Sequence, residues 1–297
     1  MILEFELLQP PYGGTSEGPV WDGSGILYTQ IQACRIIRFD TLAESFTVYR
    51  TDTNYANGLF IDSERRLFAC EGGGRRVVCY EPAQPARVLA DSFEGRRLNM
   101  PNDLVIDRQG RIWFTDPFYE GAAGPFSYDR ANQELDHESV YRLDPQTDGS
   151  WSIQRATFDT TRPNGLLFSS DQTTLYLAQS GRRSDEKRQL RAYSVDGIRD
   201  QDSYEVLHDF GDHRGVDGMC LDVDGNILAT AGWEKGGPGP SIYLFSPSGE
   251  VLQRHPVPAQ RPTNCAFGGD DLSTLYVTST EGHLFRARTD LRGPALI

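Results

Sequence analysis

Arg97-Leu98-Asn99-Met100-Pro101-Asn102-Asp103-Leu104-Val105-Ile106-Asp107-Arg108-Gln109-Gly110-Arg111-Ile112-Trp113-Phe114-Thr115-Asp116-Pro117 holds a polar pair, an apolar strand, a turn and a second apolar strand. Five further segments repeat the unit. They run from Glu17 to Thr29, Asn57 to Cys70, Asn164 to Ala178, Asp217 to Thr230 and Asn264 to Thr278. First residues at 17, 57, 102, 164, 217 and 264 have the spacing of a four-stranded propeller blade with variable insertions. Each unit is followed by a short alternating strand such as Arg35-Ile36-Ile37-Arg38-Phe39 or Ser241-Ile242-Tyr243-Leu244-Phe245, and an outer strand such as Phe46-Thr47-Val48-Tyr49 then follows. The expected fold is all-β, a six-bladed β-propeller with four antiparallel strands per blade, forming one domain over residues 1–297.

The last blade runs out of chain near Ile297, whereas Leu3-Glu4-Phe5-Glu6-Leu7-Leu8 is a lone strand before the first unit. Pairing the two removes exposed edges and closes the ring. The longest insertion, Phe118 to Glu138, exceeds a hairpin turn and reads as a substrate-facing lid over one mouth. Ser180–Lys187 and Gly232–Gly239 read as lesser insertions on the same side.

Composition agrees with short strands and many turns: 30 Gly and 17 Pro accompany 13 Tyr and 15 Phe. A formal net charge of -13 opposes binding to nucleic acid or anionic lipid, and it is compatible with a cation site. Met1–Glu6 lacks the basic start and apolar run of a secretory signal, and no stretch approaches the length of a membrane span. The expectation is a soluble, cytoplasmic protein. Five scattered cysteines without C-x-x-C spacing read as small strand residues rather than a zinc cluster or disulfide framework. The five histidines share no metal spacing, and no Gly-x-Ser-x-Gly elbow occurs.

First strands of propeller blades line the central channel, so Glu17, Asn57, Asn102, Asn164, Asp217 and Asn264 should form a ring. Taken singly, each Asn-Gly or Asp-Gly reads as a turn. Recurrence of an oxygen-bearing side chain at one position in six units points instead to a shared ligand. Calcium takes about 6–8 oxygen ligands, and the carboxylates of Glu17 and Asp217 would neutralise a divalent ion. An open site of this kind is a Lewis acid.

Ser16-Glu17-Gly18-Pro19-Val20-Trp21, Pro101-Asn102-Asp103, Pro163-Asn164-Gly165 and Val216-Asp217-Gly218-Met219, in that order, resemble the gluconolactonase, regucalcin and luciferin-regenerating enzyme family of calcium-dependent six-bladed propellers. The resemblance covers essentially the whole chain. It implies that Glu17, Asn164 and Asp217 bind a catalytic divalent ion and that Asn102 lies at the ion or substrate. Trp113–Tyr119, with Gln133-Glu134-Leu135-Asp136, is similar to the bacterial gluconolactonase branch. Regucalcin-type members carry a substrate-binding Arg two residues before the matching Asn, where this chain has Met100.

The function expected is metal-dependent hydrolysis of a sugar lactone, with calcium as first choice and zinc, magnesium or manganese as alternatives. Asp217 is the first candidate for the general base and Asp103 the second. Asn102, Met100, Phe118 and Tyr119 are candidate substrate contacts. A phosphotriesterase on the same metal site and a non-catalytic calcium-binding or interaction propeller are the rival readings. The partner expected is a small-molecule lactone; the sequence leaves the oligomeric state open.

Overall fold

The computed structural model describes residues 2–82, 84–199 and 204–295. It is a six-bladed β-propeller with four antiparallel strands per blade, as the repeat predicts. Blade I comprises Ser16–Trp21, Gly25–Gln30, Arg35–Asp40 and Ser45–Thr51, paired in chain order. Blades II to V repeat this order, their innermost strands being Ala56–Ile61, Leu104–Ile106, Pro163–Phe168 and Val216–Leu221. Blade VI is built from Pro262–Gly268, Thr274–Ser279 and Leu284–Arg288, with Glu6–Gln9 as its outer strand.

The N-terminal segment therefore closes the last blade, Glu6 lying opposite Arg286 with a 2.7 Å ion pair between them. Its paired part starts later than the sequence predicts. Leu3 turns inward among residues of blades V and VI, and its N–H donates to His255 Nδ1 at 3.2 Å.

Six apolar clusters fill the wedges between neighbouring blades. Leu27 and Ile36 meet Leu59 and Ile61 between I and II, and Phe68 and Val77 meet Leu104 and Phe114 between II and III. Trp113 meets Phe168, Tyr176 meets Ala229, Leu228 meets Phe267, and Tyr276 meets Trp21 around the rest of the ring. Each central sheet is thus apolar on both faces, which explains near-continuous runs such as Leu67-Phe68-Ala69-Cys70. The turns at the far end are held by carboxylates: Asp107 Oδ1 accepts from the N–H groups of Gln109 and Arg111, and Asp62 and Asp222 do the same in blades II and V.

Among the described residues, no helix is long and apolar enough to cross a membrane. The Gly232–Gly239 stretch differs from its sequence reading. It is an extension of the hairpin between Ile227–Trp233 and Gly236–Phe245, with Trp233 opposite Gly236, rather than an inserted loop.

Candidate active site

Every innermost strand begins at the same end of the ring, and the connections from second to third strand return to that end. The Asn-Gly and Asp-Gly pairs are strand residues and not turns: Asn57-Gly58, Asn164-Gly165 and Asp217-Gly218 all lie inside innermost strands. The pairing with the second strand is interrupted just there, between Glu17 and Val20, Ala56 and Leu59, Pro163 and Leu166, and Val216 and Met219. Such a bulge frees a side chain from sheet alternation and re-aims it.

The glycine that follows has a packing cause. A Cβ on Gly165 would stand 2.3 Å from the carbonyl oxygen of Asp217, and one on Gly218 would stand 2.1 Å from the Asn264 side chain. Neighbouring innermost strands approach too closely for any side chain on these residues. Threonines on second strands tie the arrangement together. Thr29 Oγ1 donates to the carbonyls of Glu17 and Asn57 at 3.1 and 3.0 Å, and Thr230 Oγ1 donates to Thr263 O at 2.7 Å. Their recurrence at one repeat position (Thr29, Thr115, Thr230, Thr278) was a sequence signal for this stitching.

Glu17, Asn57, Asn102, Asn164 and Asp217 line one cavity of about 420 Å³, together with Met100 and Tyr119. Asn264, the sixth ring residue, does not join that wall. Its Oδ1 accepts from Cys265 N at 2.8 Å and its Nδ2 faces Asp103 Oδ2 at 3.4 Å, so it braces the carboxylates from behind. Asp103 also lies behind the wall, its Oδ1 accepting from Leu104 N at 3.0 Å.

Three carboxyls are crowded together here. Burial, then the charges of Asp217 and Asp103, push the pKa of Glu17 well above the usual carboxylate range, although the Gly18 N–H donates to it at 2.8 Å. Burial raises Asp103 to about 7. Burial also raises Asp217, against the opposing charges of Arg214 and Arg182 and a hydrogen bond from Asn164. Arg214 pairs with Asp217 and donates to the carbonyls of Gly232 and Pro262 at 3.0 and 3.1 Å. The Asn164 amide donates to Tyr119 Oη at 3.2 Å as well as to Asp217, which leaves its own oxygen available.

Among the described residues, no three His, Cys, Asp or Glu side chains form a metal-ligating group. The donor set is mixed instead, and it fits a hard cation: Glu17 and Asp217 would supply charge, Asn102 and Asn164 neutral oxygens, and a positive charge between the buried carboxyls would relieve their mutual repulsion.

The long insertion faces the cavity, as expected, through Tyr119, Ala122 and Ala123, and its base is anchored by buried contacts. Phe118 is fully buried with Met100, Tyr119 and Ala123, behind the cavity surface, so it is not placed to touch a ligand. Glu138 accepts from the N–H groups of Phe118 and Arg162, both at 3.0 Å. Arg162, 2% exposed, donates to Phe118 O at 2.7 Å and pairs with Glu120 and Glu186, each at 3.0 Å. Tyr119 Oη donates to Arg162 O at 3.3 Å, so the insertion reaches Asn164 through one hydroxyl. His137, within it, bonds Asp136 and Tyr141 and lies off the cavity wall.

Residues 15–281 match the family described as the SMP-30/Gluconolactonase/LRE-like region. The chain belongs to that family. A gluconolactonase of Zymomonas mobilis is 31% identical to it over 303 residues, spanning 94% of this chain and 79% of the relative. The pentonolactonase of Haloferax volcanii is 29% identical over 274 residues, spanning 90% of this chain and 81% of that protein. A solved gluconolactonase structure from Xanthomonas campestris superposes with a TM-score of 0.79 at 28% identity, over 96% of this chain and 89% of that one.

Within this SMP-30/gluconolactonase propeller, sequence reading missed the basic residues of the mouth. Arg182, Arg214 and Arg261 come from three different blade connections, and no spacing announces their convergence on one cavity.

Proposed function

We propose that the protein is a divalent-metal-dependent lactonase that opens a sugar lactone in the central channel. The observation that carries this reading is the assembly of Glu17, Asn102, Asn164 and Asp217 on one cavity wall, in a chain whose relatives include a gluconolactonase and a pentonolactonase. Calcium is the first choice of ion because all four donors are oxygens; magnesium, manganese and zinc are the alternatives. When bound, such an ion polarises a carbonyl as a Lewis acid and favours the charge that develops on its oxygen.

The protein's own groups then divide the work. Asp217 is the general base: it faces the cavity, and its carboxylate is held by Arg214 and by the Asn164 amide, so it takes the proton of the attacking water without reorienting. Asp103 is the reserve candidate, and its place behind the wall suits it better to bracing Asn264. Tyr119 fixes Asn164, and Met100 lies beneath Tyr119, its sulfur 3.3 Å from the Tyr119 N–H.

A panel of aldonolactones assayed beside an organophosphate triester, with and without chelator, tests the reading. Chelator-sensitive lactone hydrolysis is expected. Triester turnover with no lactone turnover under any metal would replace the lactonase by a phosphotriesterase.

A further inference from the structure

The cavity is electrically lopsided. On the side of blades I to III Glu17 stands among uncharged side chains such as Ile31, Tyr55, Met100, Ala122 and Ala123, whereas blades IV to VI contribute Arg182, Arg188, Arg214 and Arg261 against Asp212 and Asp217. This concentration of positive charge stands out in a chain with a formal net charge of -13.

Arg214 is matched by Asp217 and by two carbonyls. Among the described residues, the side chains of Arg182 and Arg261 have no carboxylate partner. The Arg261 Nε is buried without any hydrogen-bond partner, a state that asks for an acceptor. Aromatic faces support both guanidinium groups: Arg182 lies 4.3 Å from the Tyr119 ring centroid and Arg261 5.9 Å from that of Trp233. Burial, then the charges of Arg214 and Arg182, lower the pKa of Arg261 against the opposing charges of Asp217 and Glu281, so the three arginines stand near enough to repel one another. Of the acids nearby, Asp217 is paired with Arg214, and Glu281 is engaged with Gln260 N at 2.7 Å and Thr280 Oγ1 at 3.2 Å.

We propose that Arg182 and Arg261, with Arg214 adding to their field, form an anion-binding subsite that selects lactones carrying a second, anionic group (a carboxylate, phosphate or sulfonate) remote from the ester. This rests on the lactonase reading. A planar guanidinium pair binds such an oxyanion by charge-assisted hydrogen bonds. The ester is then directed toward Glu17 and Asn102, which blades I and III contribute to the same cavity. A neutral aldonolactone leaves the repulsion among the three arginines offset only by Asp217 and Glu281.

The calcium-loaded protein would be assayed on glucono-1,5-lactone, glucaro-1,4-lactone, 6-phosphoglucono-1,5-lactone and the corresponding 6-sulfonate. At least one anionic lactone is expected to exceed the neutral one in kcat/KM by about tenfold or more, the scale of one charge-assisted contact. Which of the three does so identifies the group. In Arg261→Met, and further in the Arg182→Met/Arg261→Met double variant, that ratio should fall by about tenfold or more. Calorimetric titration with glucarate and gluconate supplies a readout independent of turnover: the diacid should bind more tightly than the monoacid, and the difference should vanish in the double variant. Neutral lactone turned over as well as every anionic one, with ratios unmoved by the variants, overturns the subsite and leaves the lactonase intact. Diacid binding that depends on the arginines, without hydrolysis of any lactone, overturns the lactonase and retains the subsite.

Discussion

Replacing Asp103 with Asn should stabilise the ion-free protein, and increasingly so as the pH rises to neutrality. The Asp103 carboxyl is enclosed behind the channel wall, where the Leu104 N–H and the Asn264 amide are its donors, and burial lifts its pKa from 3.8 to about 7. An acid whose folded pKa lies above its unfolded value holds its proton more tightly in the fold. The fold therefore loses stability as pH climbs through the interval from about 4 to 7, and the deficit persists above it. A displacement of that size corresponds to about 4 kcal/mol. At roughly 2–4 °C per kcal/mol for chains of about this size, the effect on Tm is on the order of 10 °C. Scanning calorimetry of wild type and Asp103→Asn in chelator, from pH 5 to 8.5, reads it directly. The variant should melt higher, with a gap that widens to pH 7 and is then flat, and calcium should narrow the gap by favouring the charged wild-type site. Melting curves that run parallel across the whole pH range would refute the reasoning.

Asp217→Asn should lower kcat by about 10²–10⁴-fold, the usual contribution of a general base, while circular dichroism stays that of the wild type. Gly218→Ala should impair folding, because its Cβ would fall 2.1 Å from the Asn264 side chain, whereas Gly236→Ala, with nothing within 4 Å, should be tolerated; soluble yield and Tm separate them. Arg162→Met should cost about 3–5 kcal/mol in urea unfolding, since it strips Glu186 and the Phe118 carbonyl of their buried cation, and should raise KM by loosening Tyr119.

The architecture was readable because it is periodic. One strand-turn-strand unit, recurring with an Asn, Asp or Glu at its head, predicts blade number and the N-terminal closure, and both stand in the structure. Details that depend on how adjacent blades meet were not readable. Asn264 occupies the same repeat position as Asn57, yet it fills the space that Gly218 vacates and is turned away from the cavity. Phe118 and Tyr119 are consecutive aromatics, but only Tyr119 reaches the cavity, because Glu138, Arg130 and Arg162 clamp the backbone of Phe118. That same clamp anchors the base of the cavity-facing insertion. Arg182, Arg214 and Arg261 are far apart in sequence and are brought together only by closure of the ring.

In the proposed mechanism Glu17, Asn102, Asn164 and Asp217 hold a divalent ion on which lactone hydrolysis depends. Chelated protein would be titrated with calcium while bound metal and aldonolactone turnover are measured on the same samples. Turnover should be lost on chelation and return in proportion to the first equivalent bound, and Glu17→Gln should abolish binding and turnover together. Full turnover in metal-free protein, or one equivalent bound as tightly by Glu17→Gln as by wild type, would contradict it.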